Sequence, residues 1–263
     1  MINLSAHLSV LFTEHPPLAR PAAAAAAGFT VVESWWPPAD DPPAWTDAVT
    51  AAGVRVAAIN ADCGNIAAGE RGYCTEPAMH EQTLEAVEAA LQIADQVDAS
   101  VVNVLAGRVR GGRPARDQRA AAVDVFRACG DLAKRHGRTI VIEPINAIDV
   151  PDYLVSTPRL AVQLLDEIGH DHVRLLYDAY HAAMEGSDPL TEVQPLVDRV
   201  AHVQYADCPG RGAAGTGTIS LLGFLQCLDA AGYVGSVGLE FLTGGDTLAA
   251  LADTPMRSWP ADE

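Results

Sequence analysis

His136-Gly137-Arg138-Thr139-Ile140-Val141-Ile142-Glu143 reads as a helix end, a glycine stop, a buried strand and a carboxylate at the strand's last position. Glycine just past a helix takes the left-handed conformation that ends it, and the β-branched run that follows starts a strand. A near-continuous apolar run marks a parallel strand covered on both faces. The same phrase recurs at Ala26-Ala27-Gly28-Phe29-Thr30-Val31-Val32-Glu33, at Ala51-Ala52-Gly53 running to Asn60, and at Ala231-Gly232-Tyr233 running to Gly238. Asn3–Leu8, Ser100–Leu105, Val173–Tyr177 and Val200–Gln204 complete eight strand candidates. Helical segments separate them, the clearest at Met79–Val97, where Leu84, Val87, Leu91 and Ala94 share one face. Eight alternating units in about 250 residues predict an α/β chain folded as one (β/α)8 (TIM) barrel. The expected domain is residues 1–263, with a core of about 3–244 and a C-terminal extension, 245–263. A doubly wound open sheet is the alternative, but no G-x-G-x-x-G follows the first strand. The Ala22–Ala27 run reads as a small-residue helix face, and Pro37–Pro43 and Gly107–Arg113 read as loops on the active face.

The 263 residues, 49% hydrophobic, suffice for one large core. A net charge of −17 argues against a nucleic-acid or anionic-membrane partner, since phosphate binding needs a basic surface. Cys63, Cys74, Cys129, Cys208 and Cys227 form an odd set without a C-x-x-C pair, which argues against a disulfide framework or a structural zinc. The N-terminal residues lack a signal-peptide pattern, and no apolar run approaches the roughly 20 residues of a membrane span. A cytoplasmic protein is the expectation. The alanine-rich helix face suits either the core or a homo-oligomer interface.

Glu143, Asp178, Gln204 and Glu240 each end a strand-like run, at intervals of 35, 26 and 36 residues, close to one strand-plus-helix unit each. In a closed barrel they converge at the mouth. Three carboxylates without a basic partner repel each other, so a divalent cation is the expected neutraliser, and this oxygen-rich set suits Mg²⁺ or Mn²⁺ better than Zn²⁺. Glu143 and Glu240, ending the fifth and eighth strands, would act as base and acid on a bound substrate. Arg211, in a Gly/Pro loop beyond the seventh strand, is within reach of an anionic or hydroxylated substrate, because its fork donates two parallel hydrogen bonds. Arg71 is a similar candidate, unless it pairs with Glu70 at the surface. Asn146 and Asp207 are placed to orient other site residues. His7 ends the first strand, and Trp35 and Trp36 follow the second. The tryptophans either wall a substrate pocket or cover the barrel end. His202, inside a strand, reads as a packing histidine.

The strings Ile142-Glu143-Pro144-Ile145-Asn146, Tyr177-Asp178-Ala179-Tyr180-His181 and Gln204–Arg211 with Gly215-Thr216-Gly217 resemble the hydroxypyruvate isomerase family, within the xylose-isomerase-like barrels. Ala67-Ala68-Gly69-Glu70-Arg71-Gly72 looks like the same family's third βα loop, and the resemblance runs from Asn3 to about Gly244. It implies isomerisation of hydroxypyruvate to tartronate semialdehyde (2-hydroxy-3-oxopropanoate) through an enediolate. It also implies a metal held by Glu143, Asp178, Gln204 and Glu240, proton transfer by the two glutamates, and a substrate-oxygen contact from His181.

Pocket positions depart from that pattern: His7 stands where asparagine is usual, Asn60–Asn65 replaces an apolar and proline loop, Thr218 replaces glutamate, and Phe241–Gly245 lacks a lysine. These bear on the substrate, a small hydroxy-oxo acid or sugar, more than on the reaction class. A ketose 3-epimerase or a sugar-acid or polyol dehydratase on the same barrel is the alternative. Epimerising relatives often carry histidine at the Gln204 position, so the amide favours the isomerase. The charge and the lack of histidines in the set argue against a barrel nuclease, and the complete quartet argues against a non-catalytic scaffold.

Overall fold

The computed structural model describes residues 2–36, 41–252 and 254. Eight parallel strands close a barrel in sequence order: β1 (Asn3–His7), β2 (Val31–Ser34), β3 (Arg55–Asn60), β4 (Val101–Asn103), β5 (Thr139–Ile142), β6 (Val173–Asp178), β7 (Val200–Tyr205) and β8 (Ser236–Leu239). β1 pairs with both β2 and β8, which completes the ring. The main outer helices are α1 (Arg20–Ala26), α2 (Pro42–Ala52), α3 (His80–Val97), α4 (Ala115–His136), α5 (Pro158–Ile168), α6 (Ala179–Met184), α7 (Pro189–Glu192), α8 (Leu221–Ala230) and α9 (Thr247–Ala250). The expected (β/α)8 barrel is the fold, and among the described residues no helix is long and apolar enough to cross a membrane.

Local chemistry sets these boundaries. Asp41, Thr157 and Ser220 each accept a backbone N–H at a helix start, satisfying a donor that the first turn leaves free. Gly53 and Gly137 end α2 and α4 in the left-handed conformation, at φ of 67° and 66°. The Pro37–Pro43 stretch is part loop, part helix: Pro42 and Pro43 open α2, where a missing N–H costs nothing, and residues 37–40 lie outside the described residues. The alanine run forms α1, with Pro21 and Ala24 facing the core.

Two different interiors result. Between sheet and helices lies a large apolar core, in which Tyr177 and Tyr205 pack beside Phe224 of α8. Within the barrel, below its mouth, β3 to β6 contribute Ala58, Val101, Val141 and Leu176, a separate small apolar cluster. The opposite half is polar: β1, β2 and β7 contribute Ser5, Glu33 and His202, all buried and joined by hydrogen bonds. TIM-barrel interiors are dominated by bulky branched side chains, so this half is unusual. The β2–β3 register shifts between Val32 and Glu33, and the β6–β7 register between Leu175 and Leu176. Such irregularities re-aim side chains, here just ahead of Glu33 and Asp178.

Candidate active site

Strand register sets Asp178 beside Gln204, and the ligand atoms of Glu240 fall outside the tight group that Glu143 and Asp178 form with His181. Asp178 of β6 is in register with Gln204 of β7, and Gln204 with Gly238 of β8. Glu143 and Glu240 directly follow β5 and β8, and all four are buried. Ligand atoms of Glu143, Asp178 and His181 lie within 4.8 Å of one another. Asp178 caps α6: its Oδ1 accepts the N–H groups of Tyr180 and His181 at 2.7 and 3.3 Å. Its Oδ2 lies on the His181 side, 3.8 Å from Nε2. Asn103 donates to Glu143 Oε2 at 2.6 Å. Gln204 donates its Nε2 to Glu33 Oε1 at 2.8 Å, while its Oε1 is buried without a hydrogen-bond partner.

Glu240 has a different neighbourhood. Trp35 Nε1 donates to its Oε1 at 2.9 Å, His7 Nε2 lies 3.6 Å from the same oxygen, and Arg211 Nη2 lies 2.9 Å from Oε2. His7 and Trp35 meet edge to face. Burial would raise the Glu240 carboxyl, but Arg211 and then His7 hold it below the usual carboxylate range. Glu143 goes the other way: burial, then the charges of Glu240 and Asp178, push it well above that range. Arg211 itself, desolvated but surrounded by Glu240, Asp178 and Glu143, is held more firmly cationic than usual. Burial and the neighbouring carboxylates thus both disfavour a charged Glu143 in the absence of a cation. The close approach of the Glu143 and Asp178 carboxylates, together with the unpartnered Gln204 carbonyl, fits a hard divalent cation with oxygen ligands.

His181 is closest to Glu143 and Asp178, yet its hydrogen bonds argue that it serves as a donor. Asn146 Oδ1 accepts the Asp149 N–H at 2.8 Å and its Nδ2 donates to Asp149 Oδ2 at 2.9 Å, which fixes the amide. That Nδ2 also lies 2.6 Å from His181 Nδ1, so Nδ1 must accept. Burial lowers the imidazole's proton affinity, and the neutral ring therefore carries its proton on Nε2. Nε2–H faces Glu143 Oε1 at 3.6 Å, suited to a substrate oxygen and unsuited to a metal.

Glu143, Glu240, His181, Arg211, Arg71 and Trp35 line one cavity of about 200 Å³, together with Asn60 and Asp149 and the apolar Ile66, Leu105, Ile145 and Val150. Asp178, Gln204 and His7 sit behind this lining. Arg71 is braced by donating to the Ile66 and Glu70 carbonyls. Glu70 does not pair with it, and its carboxylate instead accepts the Asn65 N–H. Asp207 accepts the N–H groups of Cys208, Gly215, Gly217 and Ile219, and so folds the loop that carries Arg211. Burial pushes the Cys63 thiol up to about 11, which rules out an activated nucleophile.

Asn103, Asp149 and Tyr180, to which sequence reading gave no role, and Glu33, which it noted only as a strand end, complete the site. Asn103 ends β4 and Glu33 stands one residue before the end of β2, a position close to that of the quartet and readable from the sequence. Asp149 and Tyr180 carried no such signal: Tyr180 donates to Asp149 Oδ2 at 2.9 Å, and its ring lies 5.4 Å from the Arg211 guanidinium. His202 is more than packing, since its Nε2 is 2.8 Å from Glu33 Oε2. Burial opposes ionisation of Glu33, but His202, His7 and the Gln204 amide hold it down to about 2.

Comparison with known proteins agrees with this architecture. Residues 21–258 match the family described as xylose isomerase-like TIM barrel. Hydroxypyruvate isomerase of Escherichia coli (strain K12) is 32% identical, over 95% of this chain and 97% of its own. The 2-oxo-tetronate isomerase of Cupriavidus necator is 28% identical, over 95% of this chain and 96% of its own. Among solved structures, a Brucella melitensis protein titled AP endonuclease, family 2, superposes with a TM-score of 0.91 at 28% identity, covering 96% of this chain and 97% of that one. The chain belongs to the hydroxypyruvate isomerase family of xylose isomerase-like TIM barrels.

Proposed function

We propose that the protein is a divalent-metal-dependent isomerase that converts hydroxypyruvate to tartronate semialdehyde. Glu143, Asp178, Gln204 and Glu240 would hold Mg²⁺ or Mn²⁺, and Glu143 and Glu240 would move protons. The observation that carries this reading is the pairing of two glutamates and two guanidinium groups around one cavity of about 200 Å³. That space is large enough for a three- or four-carbon acid. The relative named for 2-oxo-tetronate supports the same substrate class. The net charge of −17 gives no support to a nuclease reading.

When bound, the cation supplies an electrophile that polarises the substrate carbonyl and offsets the crowded carboxylates. Arg211 and Arg71 face the substrate carboxylate. Glu240, kept ionised by Arg211, takes a proton from the hydroxymethyl carbon, and the electron pair moves into the C–C bond to give an enediolate. Glu143 returns a proton to the former carbonyl carbon, so that one C–H bond breaks and another forms. The hydroxyl proton passes from the new aldehyde oxygen to the old carbonyl oxygen beside His181 Nε2–H, which leaves the aldehyde. Leu105, Ile145 and Val150 keep part of the lining apolar and limit water at the carbanionic carbon.

The test is a D₂O incubation of chelator-treated and Mn²⁺-reloaded protein with hydroxypyruvate, 2-oxo-tetronate and a ketose panel. The expected result is Mn²⁺-dependent deuterium at C2 of tartronate semialdehyde. Exchange only at C3 of a ketose, or no exchange from any acid in the reloaded protein, overturns the proposal.

A further inference from the structure

Glu33 is completely buried inside the barrel, below the cavity, and takes three donors: Ser5 Oγ and His202 Nε2 on Oε2, and Gln204 Nε2 on Oε1, each at 2.8 Å. A carboxylate in this state only accepts, so it leaves no choice about which end of the Gln204 amide it meets. The amide nitrogen must turn to Glu33 and the carbonyl must turn away. Gln204 Oε1 is accordingly buried and without a hydrogen-bond partner. Buried polar atoms in folded proteins nearly always find a partner, and an orphan calls for an explanation. The backbone also makes room for Glu33. Gly238 is in register with both Ser5 and Gln204, and a Cβ there would collide with the Glu33 carboxylate.

We infer that Glu33 is a positioning residue: by claiming the Gln204 amide nitrogen, it aims the Gln204 carbonyl at the cation. This rests on the metal reading proposed above. A neutral ligand then enters the site in one fixed orientation, anchored from beneath by a charge that never touches substrate. Partners behind metal ligands typically change metal affinity by roughly 10- to 100-fold.

The test measures Mn²⁺ binding to chelator-treated protein by electron paramagnetic resonance, with thermal unfolding alongside, in wild type, Glu33→Gln, Gln204→Glu and the double variant. Glu33→Gln lets residue 204 turn either way, and we expect Kd to rise at least roughly tenfold. Gln204→Glu sets two carboxylates against each other and should also weaken binding. The double variant exchanges amide and carboxylate, restores a donor–acceptor match, and should recover affinity to within a few-fold of wild type. A folded Glu33→Gln protein with wild-type Mn²⁺ affinity overturns the inference alone. If Glu33→Gln does not fold, Gln204→Glu decides: tighter Mn²⁺ binding from the added charge, with Glu33 in place, overturns it, whereas weaker binding that the double variant repairs supports it. Wild-type protein that binds no Mn²⁺ overturns this inference together with the metal reading.

Discussion

Arg211 Nη2 lies 2.9 Å from Glu240 Oε2, and its charge, more than that of His7, holds the Glu240 carboxyl below the usual carboxylate range. The arginine holds Glu240 down, so its removal raises the carboxyl's pKa. Arg211→Gln should therefore move the acidic limb of the kcat/KM profile to higher pH, where the base is lost sooner as pH falls. It should also raise KM for hydroxypyruvate at least roughly tenfold, through loss of a bidentate partner. A pH–rate profile between pH 5 and 9 checks both effects.

Glu143→Gln and Glu240→Gln each remove a proton carrier. The expected loss in kcat at saturating Mn²⁺ is about 10²- to 10⁴-fold. Deuterium exchange from hydroxypyruvate, followed by mass spectrometry, checks it. Either variant turning over at the wild-type rate with metal bound removes the two-glutamate scheme.

The His181 tautomer offers a more local test. Asn146→Asp replaces the donor at Nδ1 with an acceptor, so the ring proton moves to Nδ1 and Nε2 loses its hydrogen. Nitrogen chemical shifts of His181 should report the switch, accompanied by a fall in kcat of roughly tenfold or more. Unchanged shifts would show that Asn146 does not set the ring.

Glu33 gives a pH dependence of stability. Its folded pKa of about 2 lies below the ordinary 4.5, so between these values the unfolded chain binds more protons and stability rises with pH. The contribution is fully present above about pH 4.5 and is lost as pH falls toward 2. It amounts to about 3 kcal/mol. Glu33→Gln should be less stable than wild type at pH 6, and the gap should close on acidification. Denaturant unfolding at a series of pH values measures this.

Removing the cation should cost both activity and stability. At 100 times Kd a bound ion stabilises the folded state by about 2.7 kcal/mol. For a chain of this size that corresponds to a Tm lowered by about 5 to 10 °C on chelation and restored by Mn²⁺. Calorimetry with and without chelator tests it.

The barrel and its converging strand ends were legible in the sequence because strand burial and helix stops are local properties. Thr139–Glu143 and Val173–Asp178 announce themselves within six residues. The same rule extended to Asn103 and Glu33, but no local signal says that Glu33 points under Gln204 instead of capping a helix. Glu33 and His202 are 169 positions apart and on strands that are not neighbours. Such cross-barrel pairs depend on strand stagger, which the register shift at Val32/Glu33 alters. Asp207 illustrates a different limit. Its carboxylate is spent on four backbone N–H groups, a demand set by the shape of the loop and not by its composition.

The mixed charged and apolar lining of the cavity has a consequence for how its substrate range can change. The charged part, from Glu240 and Arg211 to Trp35, is interlocked, so an alteration there disturbs several partners at once. Leu105, Ile145 and Val150, which also line the cavity, carry no proton and anchor no charge. Trimming Leu105 or Ile145 enlarges the chamber while leaving the proton carriers where they are. Longer acids are therefore accessible by single substitutions at these apolar positions, and relatives can diverge in chain-length preference without rebuilding their chemistry.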